Sequence, residues 1–524
     1  MHSSEEKFSL AIAGCGSVGV SFLYQFLHLL EDAKVPARMS ILIVDPRHRV
    51  GSGVPYQPGD KTALLNTRTG TTSATFKDAA HFHQWVIEHA DDLASDYPDL
   101  DTSRNGFVPR SVFGRYLEDL YLQTLERAHR IGVQIVRCTA NLCGVELSSN
   151  CDVRLLTDAG PAYSTQRLLL CTGNPASRPY GDLCGTPNYI HSPYPADRNL
   201  QRIPTDARVC VIGSGLTAID TAIALHRNNG VRDIVCVSKN GRLQSVKSLS
   251  TEQPTLRTIT PENLAKLSAE RGRGLTLAEL AQMFAKEVED YSGRPFKLDE
   301  ILLPELACHD YLRHEIETAE EGSKPWQATL YAINNIIDIV WKHLSDGGRH
   351  EFLSRYRDDF MSYKVAIPLK NARILDGMMS AGSLRIVKVL GEIEYLPGEA
   401  VYHGVAQEAH DTRKFDVQAD YVINATGFPI SYAKSADPLV ASLLTAGLTV
   451  ESPFGGLTVD FDSSNLLDKS GRRIKRISCL GTATTGTYFW TNGMDVNSRI
   501  AHRLATRWAA EWQPGEQARW AVEA

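Results

Sequence analysis

Two stretches of the chain share one grammar. IAGCGSVG (Ile12 to Gly19) and, roughly 200 residues later, VIGSGLTAID (Val211 to Asp220) each follow an apolar run with closely spaced glycines and then a helical apolar pattern. Nothing else in the sequence constrains the fold as strongly. In the first stretch FSLAIAG reads as a strand, Gly14, Gly16 and Gly19 as the turn with Ser17 among the cofactor contacts, and VSFLYQFLHLL as a helix. Strand, turn and helix in that order suit a dinucleotide. Gly14 permits the tight turn, Gly16 lets backbone approach a pyrophosphate, and Gly19 allows close helix-strand packing. The helix N-terminus adds unpaired N–H groups and the positive end of its dipole.

The next strand, MSILIVD, ends in Asp45, where a carboxylate can accept both hydroxyls of an adenosine ribose. Asp45 lies somewhat further beyond Gly19 than the usual ~20 residues, and the polar EDAKVPAR accounts for the difference as a long loop. In the second unit ARVCVIG is the strand, Gly213 and Gly215 hold the first two glycine positions, and Ala218 holds the third. Leu216 and Thr217 are further cofactor contacts, TAIALHRNNG is its helix, and DIVCVS is its second strand. That strand ends in Ser238 and Lys239, with Arg242 close behind, instead of an acid. A hydroxyl and two cations suit a 2′-phosphate, which a carboxylate would repel; the alternative is a solvated basic loop. Two turns imply two dinucleotides: FAD on the first and NADPH on the second.

RLLLCTGN (Arg167 to Asn174) and DYVINATGF (Asp420 to Phe428) each run a hydrophobic strand into Thr-Gly, including Thr426 and Gly427. Such turns are where a chain passes between the FAD and NAD(P) domains of two-dinucleotide flavoproteins. Near the C-terminus a strand, a Gly/Thr-rich loop with Gly481 and a long amphipathic helix follow. The helix N-terminus at Met494, Asp495 and Val496 is placed to aim its dipole at a flavin pyrimidine edge. Ala140 completes the expected cofactor contacts. The fold class expected is α/β, with two Rossmann-like dinucleotide-binding domains and a helical insertion. The FAD domain would take residues 1–203 and 432–524, and the NADPH domain 204–431 with the insertion at about 248–369.

Composition closes off other classes. Of 524 residues 43% are hydrophobic and 22% charged, and the net charge is −6 with the basic residues dispersed. That is globular and lacks the electrostatic footprint of nucleic-acid binding. No apolar run approaches the ~18 to 20 residues that cross a bilayer, and MHSSEEKF lacks a signal-peptide layout, so the expectation is a cytoplasmic protein without a membrane partner. Ten scattered cysteines include no Cys-x-x-Cys, which removes the redox dithiol and the common zinc spacings. His81 and His83 lack ligands at metal spacing and are read as surface or core histidines, with no metal site expected.

GSGVPYQPGDKTALLNTRTG (Gly51 to Gly70), FVPRSVFGRYL (Phe107 to Leu117) and GSGLTAID together resemble the bacterial FAD/NAD(P)-binding proteins related to class B flavin monooxygenases. The first corresponds to a Gly-x-Ala-Tyr stretch followed by Leu-Leu-Asn-Val-Pro, with departures at Pro55, Thr67 and Arg68. Among the class, N-hydroxylating enzymes carry an Asp-x3-Leu/Phe-Ala-Thr-Gly-Tyr-x4-His/Pro motif. Asp420, Ala425, Thr426 and Gly427 match it, whereas Asn424, Phe428 and Ala433 depart. IHSPY (Ile190 to Tyr194) resembles the linker before their NADPH domain, and the Baeyer-Villiger motif is absent. The resemblance implies FAD- and NADPH-dependent N-hydroxylation of a small amino acid or related amine by dioxygen, through a flavin C4a-hydroperoxide. It places Asn66 beside the flavin, and the planar charge of Arg68 could hold a substrate carboxylate or belong to a surface loop.

From Ser248 to about Leu369 the pattern turns helical, opening one helix with Thr276 and Glu279 as a capping box. This insertion either covers the active site or serves packing and dimerisation. A homo-oligomer is allowed, but no surface in the sequence demands it. Two other functions stay open: an oxidoreductase passing electrons to an acceptor other than oxygen, and a nucleotide-sensing protein without turnover.

Overall fold

The computed structural model describes residues 6–34, 39–59, 61–148, 152–160, 162–174, 180–298, 301, 306–322, 324–428, 431, 432, 435 and 437–512. The chain divides into two compact units. One comprises Met1–Pro58, Thr67–Ala176 and Pro429–Ala524, and the other Gly59–Asn66 and Ser177–Phe428.

In the first unit a sheet runs in the order Asn465–Leu467, Arg473–Cys479, Leu168–Leu170, Leu10–Ala13, Met39–Val44, Val133–Cys138, parallel except for its first pair. The central strand, LAIA, is buried at every position, as a parallel strand covered on both faces must be. The helix Ser17–Asp32 follows it and turns an apolar stripe onto the C-terminal helix Met494–Glu511. There Phe22 meets Trp508 edge-on at 5.3 Å between ring centroids, and Gln25 Nε2 donates to the Ser498 carbonyl at 3.1 Å. The chain's two ends thus build one layer. A smaller sheet holds Glu6–Phe8, Tyr163–Thr165, Val153–Thr157 and Leu142–Leu147.

The second unit repeats the plan. Tyr189–Ile190, Tyr421–Asn424, Arg208–Ile212, Asp233–Ser238 and Leu384–Val389 are parallel neighbours in that order, and antiparallel strands extend the far edge. Tyr189 and Ile190 pair with Val422 and Ile423, so the IHSPY linker lies with this unit, although the sequence reading groups it with residues 1–203.

The expected helical insertion lies in the crossover between Asp233–Ser238 and Leu384–Val389. The helix Leu277–Ser292 opens with a reciprocal capping box, Glu279 N–H donating to Thr276 Oγ1 at 3.3 Å and Thr276 N–H to Glu279 Oε2 at 2.7 Å. Leu369–Ser380 is the crossover helix itself; Ala372, Leu375 and Met378 lie in the core beneath the sheet with Val209 and Ile234. Cys308, Leu312 and Ala319 of the helix Cys308–Glu320 join the same core. Part of the insertion is therefore a packing element. Among the described residues no helix is long and apolar enough to cross a membrane.

Candidate functional site: two glycine turns

Each unit carries its glycine turn at the same place. In the first, Gly14 has φ +83°, and a Cβ there would collide with the carbonyl oxygen of Cys171, just past Leu168–Leu170. In the second, Gly213 has φ +126°, and a Cβ would lie 2.7 Å from the carbonyl oxygen of Ala425, just past Tyr421–Asn424. The strand running into Thr-Gly is thus the neighbour that requires glycine in both units. A Cβ at Gly19 would stand 2.5 Å from the Gly14 carbonyl oxygen, so that position serves helix-strand packing.

Gly16 and Gly215 are the N-caps of Ser17–Asp32 and Leu216–Asn228, and neither helix has a side-chain cap. The first backbone N–H groups of each helix, at Ser17 and at Leu216 and Thr217, therefore lack an intrahelical acceptor. That is the arrangement an anionic diphosphate fits.

Asp45 is 1% exposed at the end of Met39–Val44. Its Oδ2 accepts Cys15 N–H at 2.7 Å and Arg47 Nη2 at 2.6 Å; its Oδ1 accepts Arg47 N–H at 3.0 Å and Arg47 Nε at 2.9 Å. Four donors fill the sites of one carboxylate. Burial pushes the Asp45 carboxyl up, and the Arg47 hydrogen bonds and charge with Cys15 N–H outweigh it, leaving the group below its ordinary 3.8. The sequence reading missed Arg47, although its place two residues after Asp45 in VDPRHR was a signal. A ribose would reach Asp45 only as Arg47 turns aside, and Arg47 keeps 29% side-chain exposure.

Of the other first-unit residues, Ala140 and Gly481 lie near this turn. Val44 and Cys138 are register partners, and Asp45 N–H donates to the Cys138 carbonyl at 3.1 Å, which brings buried Ala140 to the same sheet end. Gly481, at φ +83°, stands with its Cβ direction 3.6 Å from Val18 Cγ2 in the first turn of the helix. Met494–Glu511 starts without a side-chain cap; Met494 and Val496 are buried, and Asp495 places an acid in the first turn. That acid offsets part of the positive helix end. Arg68 lies over the Phe107 ring at 5.2 Å and donates to the Asn105 carbonyl at 3.4 Å. His81 shares a hydrogen bond with the Tyr116 hydroxyl and His83 with the Thr102 carbonyl.

In the second unit Asn66 Oδ1 is buried without a hydrogen-bond partner among the described residues. An unsatisfied buried acceptor costs about 1 to 3 kcal/mol, and a ligand N–H would supply the missing donor. Ser238 Oγ closes its own turn, accepting Gly241 N–H at 3.0 Å and lying 3.0 Å from Ser214 Oγ. Lys239 is exposed. Arg242 lines a cavity with Cys308, Tyr311, Asp359, Ser362 and Tyr363 of the insertion. Burial pushes Tyr363 up to about 12 against the charge of Arg242. Thr426 N–H and Oγ1 both donate to Asn424 Oδ1, at 3.2 and 2.7 Å, and Gly427 takes φ +83°. Asp420 of the motif pins a strand start: it accepts Arg208 N–H at 2.9 Å and pairs with its guanidinium at 2.7 Å. Ala433 lies outside the described residues.

Two parallel-sheet units, each with a strand, a glycine turn, an uncapped helix and a Thr-Gly return, give the chain the fold of two Rossmann-like dinucleotide-binding domains. Residues 11–175 match the FAD-NAD(P)-binding family; the chain carries an FAD/NAD(P)-binding domain. Its fold is shared by the reduced ornithine hydroxylase of Pseudomonas aeruginosa, at TM-score 0.57 and 13% identity over 97% of this chain and 100% of that one. L-lysine 6-monooxygenase of Pseudomonas syringae gives TM-score 0.57 and 14% identity, covering 96% and 99%. The ornithine N-hydroxylase of Kutzneria sp. 744, with reduced FAD, NADP+ and L-ornithine, gives 0.53 and 14%, covering 96% and 99%. No curated protein matches the chain.

Proposed function

We propose that this protein is an FAD- and NADPH-dependent monooxygenase that hydroxylates the amine nitrogen of a small amino acid or related metabolite. The carrying observation is the duplicated dinucleotide unit in a chain whose fold matches amine hydroxylases along nearly their whole length. The balanced reaction is amine plus dioxygen plus NADPH and a proton, giving hydroxylamine, water and NADP+. Bound flavin supplies the activation of dioxygen with electrons from NADPH.

The chain's own residues bind and orient. Gly14, Gly16, Ser17 and Gly19 receive the FAD diphosphate at a helix N-terminus. Asp45 and Arg47 stand at the adenosine end, and Ala140 and Gly481 border that turn. The backbone N–H groups at Met494, Asp495 and Val496 would hold the flavin ring, and Asn66, whose Oδ1 is unmet, would offer an acceptor to a ligand N–H. On the second turn Gly213, Gly215, Leu216 and Thr217 receive the NADPH diphosphate, and Thr426 and Gly427 form its far wall. Lys239, beside Ser238, takes the 2′-phosphate, with Arg242 adding its field from the insertion cavity. Arg68 holds the substrate carboxylate; its cation–π contact with Phe107 and its bond to the Asn105 carbonyl restrain the guanidinium.

The test is NADPH-driven oxygen uptake by the FAD-loaded protein with ornithine, lysine and their decarboxylated diamines, measuring hydroxylamine and hydrogen peroxide separately. Hydroxylamine in proportion to NADPH with one of these amines is expected. Oxygen recovered wholly as peroxide with every amine would overturn the proposal. Arg68→Ala should raise KM for the amino acids while leaving the diamines unchanged.

A further inference from the structure

The second glycine of each turn has a side-chain nitrogen standing over it. At Gly16 the direction of the absent Cβ lies 3.8 Å from Arg47 Nη2; at Gly215 it lies 3.7 Å from Gln244 Nε2. Both donors come from the chain just after the unit's second strand. The space above that glycine is what the missing Cβ keeps clear for a diphosphate. One unit therefore presents a cation there, and the other a neutral amide.

Gln244 is anchored through its backbone neighbours. The chain passes close over the next strand at Gly241, where a Cβ would stand 2.7 Å from Lys388 N. Ser245 N–H donates to the Ser362 carbonyl at 2.9 Å, and Ile367 N–H to the Ser245 carbonyl at 2.8 Å. Val246 N–H donates to the buried Glu315 carboxylate at 2.9 Å, and Glu315 is paired with Lys324 at 2.8 Å. The insertion thus holds the segment through Ser362, Ile367 and Glu315, while no hydrogen bond holds the Gln244 carboxamide among the described residues. Its Oε1 is buried and has no hydrogen-bond partner among the described residues. A half-buried amide, fixed at its root and with its Nε2 set over the glycine of a dinucleotide turn, is a donor placed where an anionic diphosphate would lie.

We infer that Gln244 is a nicotinamide-dinucleotide contact, its Nε2 donating to a diphosphate oxygen above Gly215. The inference rests on the proposed NADPH role of the second unit. It gives the insertion a function beyond packing: by fixing Ser245 and Val246 it places the donor. Because the diphosphate is common to NADH and NADPH, Gln244 contributes equally to both, whereas Lys239 acts only where a 2′-phosphate is present.

The experiment measures dissociation constants of NADP+ and NAD+ for the FAD-loaded protein by calorimetry, for wild type, Gln244→Leu, Gln244→Glu and Lys239→Ala. FAD content and thermal unfolding are recorded for each. Removing a hydrogen bond to a charged group weakens binding about 10- to 100-fold. Gln244→Leu should show that loss for both nucleotides, and Gln244→Glu at least as much through repulsion, with FAD content unchanged. Wild-type affinities in both folded Gln244 variants would overturn the inference while leaving the NADPH reading intact. A loss confined to NADP+ would also overturn it, assigning Gln244 to the 2′-phosphate. If the wild type binds neither nucleotide, the reading of the second unit falls, and the inference with it.

Discussion

Arg47 grips both oxygens of the Asp45 carboxylate, Nη2 on Oδ2 at 2.6 Å and Nε on Oδ1 at 2.9 Å, at the end of Met39–Val44, the strand that follows the first glycine turn and its helix. The pair closes over Gly16. An acid that the sequence reading assigns to a ribose is thus already a structural anchor for Cys15 and Arg47.

The anchor has a pH signature. The Asp45 carboxyl is held below 3.8 in the folded chain, so its contribution is complete above the unfolded value and is lost as pH falls through the folded one. Asp45→Asn should lower stability at pH 7 by about 1.5 to 3 kcal/mol, the range for hydrogen bonds to charged groups. The wild-type and variant curves should converge as the solution is acidified below pH 3.8. Urea unfolding across pH reads this directly; parallel curves down to acid would remove Asp45 as the source.

Alanine at the two first glycines should act unit by unit. Gly14 and Gly213 sit at positive φ against the carbonyls of Cys171 and Ala425. A left-handed non-glycine residue costs roughly 1 to 2 kcal/mol, and overpacking adds about 1 to 3. Gly14→Ala is expected to reduce FAD retention, measured as the ratio of flavin to protein absorbance. Gly213→Ala should retain FAD and lose NADP+ affinity in calorimetry. The reverse pattern would exchange the cofactor assignments of the two turns.

Nucleotide preference should reside in Lys239. It is exposed at the end of Asp233–Ser238, while the Ser238 hydroxyl is committed to its own turn. Lys239→Ala should weaken NADPH about 10- to 100-fold and leave NADH unchanged, as read from the concentration dependence of anaerobic flavin reduction. An equal loss for both would place the lysine on shared parts of the nucleotide.

Lys324 and Glu315 form a buried pair, with side-chain exposures of 1% and 8%. The ammonium also donates to the Val246 carbonyl at 3.0 Å, and the carboxylate accepts from Val246 N–H and the Ser245 hydroxyl. Removing one partner strands a charge, so Lys324→Met should cost about 3 to 5 kcal/mol in urea unfolding. Adding Glu315→Gln should restore part of that loss. Additive single effects would show that the two side chains act independently.

The elements themselves were legible because their causes are local. Apolar alternation, glycine spacing and Thr276 with Glu279 specify strands, turns and a capped helix within a few residues of each position. The helical character of the insertion followed from the same period. Its division of labour did not: Cys308, Leu312 and Ala319 help cover the second sheet, and nothing in their local pattern identifies that surface. Tyr189 and Ile190 are too few to read as a strand until Val422 and Ile423 stand beside them.

By itself the sequence determined that two dinucleotide turns exist and what their termini are made of, because backbone sterics and helix-end electrostatics depend on neighbours in the chain. Only the tertiary structure decided which carbonyl forces each first glycine, that Arg47 occupies Asp45, and that Gln244 lies over Gly215 with an unmet acceptor. Those relationships depend on how distant strands and loops close together. Close packing and the demand that buried polar groups find partners act only once the chain has closed.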